Sequence, residues 1–161
     1  MTSTRTGLGF DSHAFSDGGT LVLGGVSFVG IPALKGHSDG DALLHAIIDA
    51  LLGAAGLGDI GQMFPDTAAE WKGADSLKLL AAALERVKKA GFTPVHLDTV
   101  IVADRPRLSP AREEISRTIA RALGLPPESV SIKGKTPEGL ALFSGPQGGV
   151  AVWATVNLEK K

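Results

Sequence analysis

The sequence predicts an α+β fold: a two-layer domain whose mostly mixed β-sheet is covered on one face by three helices. Three stretches carry that prediction. Residues 149–158 alternate, with Val150, Val152, Ala154, Val156 and Leu158 on one side and Ala151, Trp153, Thr155 and Asn157 on the other, the period of a half-buried strand. Leu77, Leu80, Leu84 and Val87 recur at three- and four-residue steps among Glu85, Arg86, Lys88 and Lys89, the period of an amphipathic helix. Residues 42–52 are almost wholly aliphatic, as in a helix buried on all sides.

In chain order, residues 4–10 read as a strand leading into Asp11-Ser12-His13. Residues 20–29 read as a second strand, bent or bulged at Gly24-Gly25. Pro32 and Gly36 mark a loop before the aliphatic helix, which Ser38 or Asp39 can cap. Pro65-Asp66-Thr67 is a turn, and Gly91 stops the amphipathic helix. Residues 95–103 are rich in β-branched side chains and predict a strand. Ser109-Pro110 predicts the start of a third helix, with Glu113 and Glu114 near its positive end and Gly124 after it. A strand over 130–135 and a glycine-rich loop over 136–149 precede the last strand. There is no repeat and no linker, so residues 1–161 are expected to form a single domain.

Composition narrows the function classes. With 16 Lys and Arg against 17 Asp and Glu, the formal charge is −1, so neither a nucleic-acid surface nor a membrane anchor is expected. The first residues, Met1 to Thr6, precede no apolar segment of the kind a secretory signal needs, and a cytoplasmic protein is expected. There is no cysteine, so a metal would have to bind through His, Asp or Glu. There is no tyrosine either, which removes phenolic acid–base chemistry.

Within the aliphatic helix, Asp41, His45 and Asp49 stand four residues apart and share a face. Buried charges and imidazoles are costly unless paired or metal-bound. Asp11 and His13, two apart on an extended chain, point to the same side. With His45 they would make a one-carboxylate, two-imidazole set that suits Zn²⁺ and leaves a fourth position open. Asp41 and Asp49 would then orient the His45 ring. An Asp-x-His pair is common, however, and a single helix histidine is usually a satisfied core residue, so spacing alone leaves both readings open. Asp59, between Gly58 and Gly61, reads as a turn former or as a ligand contact. His37-Ser38 can cap the helix or meet an anion there. Lys133-Gly134-Lys135-Thr136-Pro137-Glu138-Gly139 gathers two ammonium groups, a hydroxyl and a carboxylate in one loop, a surface for phosphate and Mg²⁺ without the Walker spacing. His96 reads as structural.

Gly9-Phe10-Asp11-Ser12-His13, His37-Ser38-Asp39-Gly40-Asp41 with His45, and Leu57-Gly58-Asp59-Ile60-Gly61 with Phe64-Pro65-Asp66-Thr67 together resemble the 2-C-methyl-D-erythritol 2,4-cyclodiphosphate synthase family of the non-mevalonate isoprenoid pathway. The resemblance runs nearly end to end. It implies one synthase domain over 1–161, assembled as a homotrimer with the sheets facing the axis and the active sites between subunits. It also implies cyclisation of a cytidine diphosphate methylerythritol 2-phosphate with release of CMP. By the same resemblance Asp11, His13 and His45 are zinc ligands, and Glu138 is the ligand for Mg²⁺ or Mn²⁺. His37, Lys135 and Thr136 take catalytic roles at the phosphates. Ser38 lies near a phosphate, while Asp59, Gly61, Phe64 and Asp66 face the methylerythritol. Ala103, Arg107 and Leu108, with Lys135 and Thr136, fall where the family binds the cytidine nucleotide. The C-terminal third departs from the pattern: Lys135-Thr136-Pro137 stands in place of a threonine run. Gly145-Pro146-Gln147-Gly148-Gly149 lacks the arginine that the family associates with an isoprenoid diphosphate on the trimer axis, although Phe10 is retained. A zinc phosphohydrolase, or a nucleotide-binding module without turnover, would share many of these features.

Overall fold

The computed structural model describes residues 3–36, 38–65, 67–71, 73–140 and 147–160. Its main sheet has four strands. The last, β6 (Gly149–Lys160), is central and pairs antiparallel with β1 (Thr4–Ala14) on one side and with β4 (Phe92–Ala103) on the other. Strand β5 (Val130–Lys135) adds parallel to β4, giving the order β1-β6-β4-β5. The sheet is therefore mixed. As the alternation predicts, Val150, Val152, Ala154, Val156 and Leu158 are buried on one side of β6.

Helix α1 (Ala42–Ala55) lies on β1 and β6, α3 (Ser76–Lys89) packs on α1 and β4, and α4 (Arg112–Leu123) packs on β5 and α3. Leu43, Leu44, Ile47, Ile48, Leu51 and Leu52 of α1 are fully buried, each stabilising the fold by ~1.5–3 kcal/mol. Among the described residues, no helix packs on the other sheet face. There Leu8 and Phe10 of β1 are 67% and 46% exposed, and the Phe10 ring lies 4.8 Å from that of Trp153. His96 is exposed on β4.

Contact between α1 and β1 is close because glycine permits it. A Cβ at Gly9 would lie 1.9 Å from the Ala46 carbonyl oxygen, and one at Gly7 the same 1.9 Å from that of Ala50. The helix backbone therefore rests directly on the strand, which brings its first turn beside Asp11 and His13.

Five local details differ from the sequence reading. Residues 20–29 form not one bulged strand but a small hairpin of β2 (Leu21–Leu23) and β3 (Val26–Phe28). Gly24 and Gly25 turn it with φ of 63° and 75°, values that suit a tight hairpin turn. The cap of α1 is Asp41, whose carboxylate accepts from the Leu44 amide at 3.0 Å; Asp39 is held elsewhere. Asp11 and His13 lie inside β1, paired with Val152 and Val150, rather than beyond its end. Helix α4 starts at Arg112 without a side-chain cap, because the Ala111 amide first closes a turn on the Leu108 carbonyl. A short helix, α2 (Ile60–Met63), adds to the three expected. Among the described residues no helix is long and apolar enough to cross a membrane.

Candidate active site

Gly7, Gly9, Asp11 and His13 share the side of β1 that faces α1. Asp11 and His13 thus extend from that side just past the point where α1 begins, and His45, in its first turn, meets them. The His13 Nε2 atom is 2.8 Å from Asp11 Oδ2, and His45 Nδ1 is 3.0 Å from the same oxygen. Ligand atoms of the three side chains lie within 4.8 Å of one another. Two imidazoles and a carboxylate this close, with one side open to a cavity, fit a divalent cation that keeps an exchangeable position.

The electrostatics follow from that packing. Burial by itself pushes the Asp11 carboxyl up, but hydrogen bonds and charge from His13 and His45 outweigh it and hold the group at about 2. The hydrogen bond to Asp11 raises His13 above its ordinary value; burial opposes it, and the Lys35 carbonyl adds a second acceptor for the ring.

Asp41 and Asp49 do not orient His45. Asp41 is fully buried and accepts from the Gly24, Gly25 and Leu44 amides at 2.9, 2.8 and 3.0 Å. It ties the β2–β3 turn to the start of α1, and burial pushes its carboxyl up to about 6 against those three bonds. Asp49 Oδ1 accepts from the Ile60 amide at 2.8 Å, holding the start of α2 against α1. The ring contacts come from serines instead: His45 Nε2 is 2.9 Å from Ser38 Oγ and 3.0 Å from Ser76 Oγ. Ser76 is missed by the sequence reading, since it lies 31 residues from His45 and looks like an ordinary first residue of a helix.

Asp11, His13 and His45 form one wall of a cavity of about 610 Å³. Ser38, Asp49, Ile60, Gly61, Phe64, Thr67, Trp71 and Leu79 line its other sides. Phe64 and Trp71 pack edge to face with centroids 5.0 Å apart, adding apolar surface to the lining. Asp59 caps α2, accepting from the Gln62 amide at 2.8 Å, and is exposed; it is not in the cavity lining, although the next two residues, Ile60 and Gly61, are. His37 and Asp66 lie outside the described residues.

The residues assigned to the nucleotide and the second cation are not in this cavity. Ala103 and Leu108 are buried, while Arg107, Lys135, Thr136 and Glu138 are exposed. Lys133 and Lys135 belong to β5, the strand expected over 130–135, and Lys133 is committed to Asp98 at 2.6 Å. Thr136 Oγ1 donates to Glu138 Oε1. Glu138 has a φ of 50°, a left-handed backbone uncommon for a residue other than glycine. Register places Ala103 and His13 level, both opposite Val150. Yet β5 and β1 are opposite edges of the sheet, about 14 Å apart at ~4.8 Å per strand.

The model of the YgbB family matches residues 4–159. The 2-C-methyl-D-erythritol 2,4-cyclodiphosphate synthase of Salinibacter ruber is 48% identical over 155 residues, which are 96% of this chain and 98% of that protein. Among solved structures, the bifunctional IspDF of Campylobacter jejuni superposes with a TM-score of 0.94 at 40% identity; the match covers all of this chain and 43% of that one. A 2C-methyl-D-erythritol-2,4-cyclodiphosphate synthase bound to CDP superposes with a TM-score of 0.88 at 39% identity, over 96% of this chain and 99% of that one.

Proposed function

The chain belongs to the YgbB family, and on that footing we propose that it converts 4-diphosphocytidyl-2-C-methyl-D-erythritol 2-phosphate to 2-C-methyl-D-erythritol 2,4-cyclodiphosphate and CMP. It is an enzyme, a phosphorus–oxygen lyase of isoprenoid precursor synthesis. The observation that carries the reading is the convergence of Asp11, His13 and His45 on one cavity wall, in a chain whose relatives of nearly equal length bear this name. All of residues 1–161 are assigned to one synthase domain, and the family match over 4–159 supports this.

The substrate brings its own nucleophile. Its 2-phosphate, with a second pKa of about 6, is largely dianionic near neutral pH. One of its oxygens bonds to the β-phosphorus as the bond to the CMP oxygen breaks, and CMP leaves with the electron pair. The chain has to hold the two phosphates in line and balance their charge. Asp11, His13 and His45 would hold Zn²⁺, and Glu138 would hold Mg²⁺ or Mn²⁺. When bound, these cations supply positive charge that polarises and orients the diphosphate. Ser38 faces the same cavity and donates to a phosphate oxygen, and His37 and Lys135 with Thr136 add donors at the phosphates. Gly61 leaves room for the methylerythritol, Asp59 and Asp66 accept its hydroxyls, and Phe64 beside Trp71 packs its carbon skeleton and keeps water out. Ala103, Arg107, Leu108, Lys135 and Thr136 receive the cytidine nucleotide.

Within one chain the metal half and the nucleotide half are on opposite sheet edges. A homotrimer resolves this: the uncovered sheet faces meet around the axis, and β1 of one copy comes beside β5 of the next. The exposed Leu8 and Phe10 support that packing, and the cyclic arrangement gives three equivalent shared sites. The proposed compartment is the cytoplasm, since substrate and product are too highly charged to cross a bilayer unaided. The test is turnover with Zn²⁺ and Mg²⁺. CMP and cyclic diphosphate are expected in equal amounts; a linear phosphate product would indicate a hydrolase, and CMP binding without turnover a binding module.

A further inference from the structure

His45 presents Nδ1 to Asp11 Oδ2 at 3.0 Å and turns Nε2 away from the cluster. A cation held with Asp11 and His13 must therefore bond Nδ1, so the ring proton must be on Nε2 and needs an acceptor. Two hydroxyls are in reach, Ser38 Oγ at 2.9 Å and Ser76 Oγ at 3.0 Å. They are not equivalent. Ser76 is fully buried and its hydroxyl donates to Asp39 Oδ1. The same carboxylate accepts from the Ser76 amide at 3.0 Å and from the Asp41 amide at 3.2 Å. With its proton committed to a carboxylate, Ser76 has only lone pairs to offer His45. Ser38 is partly exposed and lines the cavity, and besides His45 its hydroxyl meets, among the described residues, only the Gly40 amide, at 3.4 Å.

We infer that Asp39 and Ser76 are positioning residues for the metal centre: they hold His45 in the Nε2–H form and so keep Nδ1 ready to bond a cation, leaving the Ser38 hydroxyl for the anionic ligand. The chain is His45 Nε2–H to Ser76 Oγ, then Ser76 Oγ–H to Asp39. It also ties the first residue of α3 to the segment ahead of α1, and the Asp39 amide adds to this by donating to the Ala74 carbonyl at 3.2 Å. The inference rests on the metal reading of Asp11, His13 and His45.

Zn²⁺ affinity of the purified protein, measured by competition with a chromogenic chelator, tests it without turnover. Ser76→Ala and Asp39→Asn should each weaken Zn²⁺ about 10–100-fold, the usual effect of losing a hydrogen bond behind a histidine ligand. The double variant should lose little more than either single one, since both act through one path. Ser38→Ala should hold Zn²⁺ within about threefold of wild type and raise KM instead. In the Zn²⁺-loaded wild type, ¹⁵N–¹H correlation spectra should show the His45 proton on Nε2. Wild-type affinity in both Ser76→Ala and Asp39→Asn, or a His45 proton on Nδ1, would overturn the inference. So would a loss confined to Ser38→Ala. A wild-type protein that binds no Zn²⁺ at all would overturn the metal reading itself, and the inference with it.

Discussion

Adding one methyl group at Gly9 should damage the metal centre without touching a ligand. A Cβ there would lie 1.9 Å from the Ala46 carbonyl oxygen and 2.8 Å from the Ala50 amide nitrogen. Both are backbone atoms, so no side chain can rotate away. Ordinary contact needs ~3.5 Å, and α1 must retreat from β1 by about 1.5 Å. His45 immediately precedes Ala46 and would move with it, away from Asp11 and His13. Overpacking of this kind costs about 1–3 kcal/mol, which in a chain of this size lowers Tm by roughly 2–12 °C. A misplacement of ~1 Å can cost about a hundredfold in turnover. Gly7→Ala is the control: it meets the Ala50 carbonyl oxygen at the same 1.9 Å but one helical turn farther from His45. Calorimetry should show both variants destabilised, and chelator competition should show the larger loss of Zn²⁺ affinity in Gly9→Ala. Wild-type melting and wild-type metal affinity in Gly9→Ala would refute the idea that close approach of α1 sets the ligand geometry.

His45→Ala should remove stoichiometric Zn²⁺ and CMP release while circular dichroism remains that of a folded protein; retained activity would sink the zinc assignment. Leu8→Asp, on the uncovered sheet face, should lower the mass measured by light scattering from trimer to monomer, and an unchanged mass would argue against that face as the interface. Burial raises Asp41 from the usual 3.8 to about 6, so the folded state prefers its protonated form. That contribution to stability is complete below pH 3.8, declines as pH rises, and is lost above about 6. Denaturant titrations of metal-free protein should show this downward slope in wild type and not in Asp41→Asn.

The layers and strands were legible because alternation and helical periodicity report burial directly, as in residues 150–158 and 77–87. The convergence of Asp11, His13 and His45 was legible for a related reason: Asp11 and His13 are fixed to one side by strand geometry, and His45 is a polar residue in an apolar helix. What each acidic residue does was not legible. Shared spacing put Asp41 and Asp49 on the face of His45, yet each is bound to backbone amides of a different segment. Nothing local distinguishes those amides in advance. Ser76 and Asp39 became supports of His45 only through the packing of α3 on α1. The separation of Glu138 from Asp11 was hidden as well, because strand order depends on long-range pairing that spacing along the chain does not encode.

Whether the two sheet edges work together across neighbouring copies is tested most directly by co-expressing two inactive variants, His45→Ala and Glu138→Ala, under different affinity tags. Each copy then retains one intact half. Every mixed trimer has one of its three interfaces joining two intact halves, so doubly purified protein should regain about a third of wild-type CMP release and cyclic product. Mixed trimers that are no more active than either variant alone would contradict a shared site.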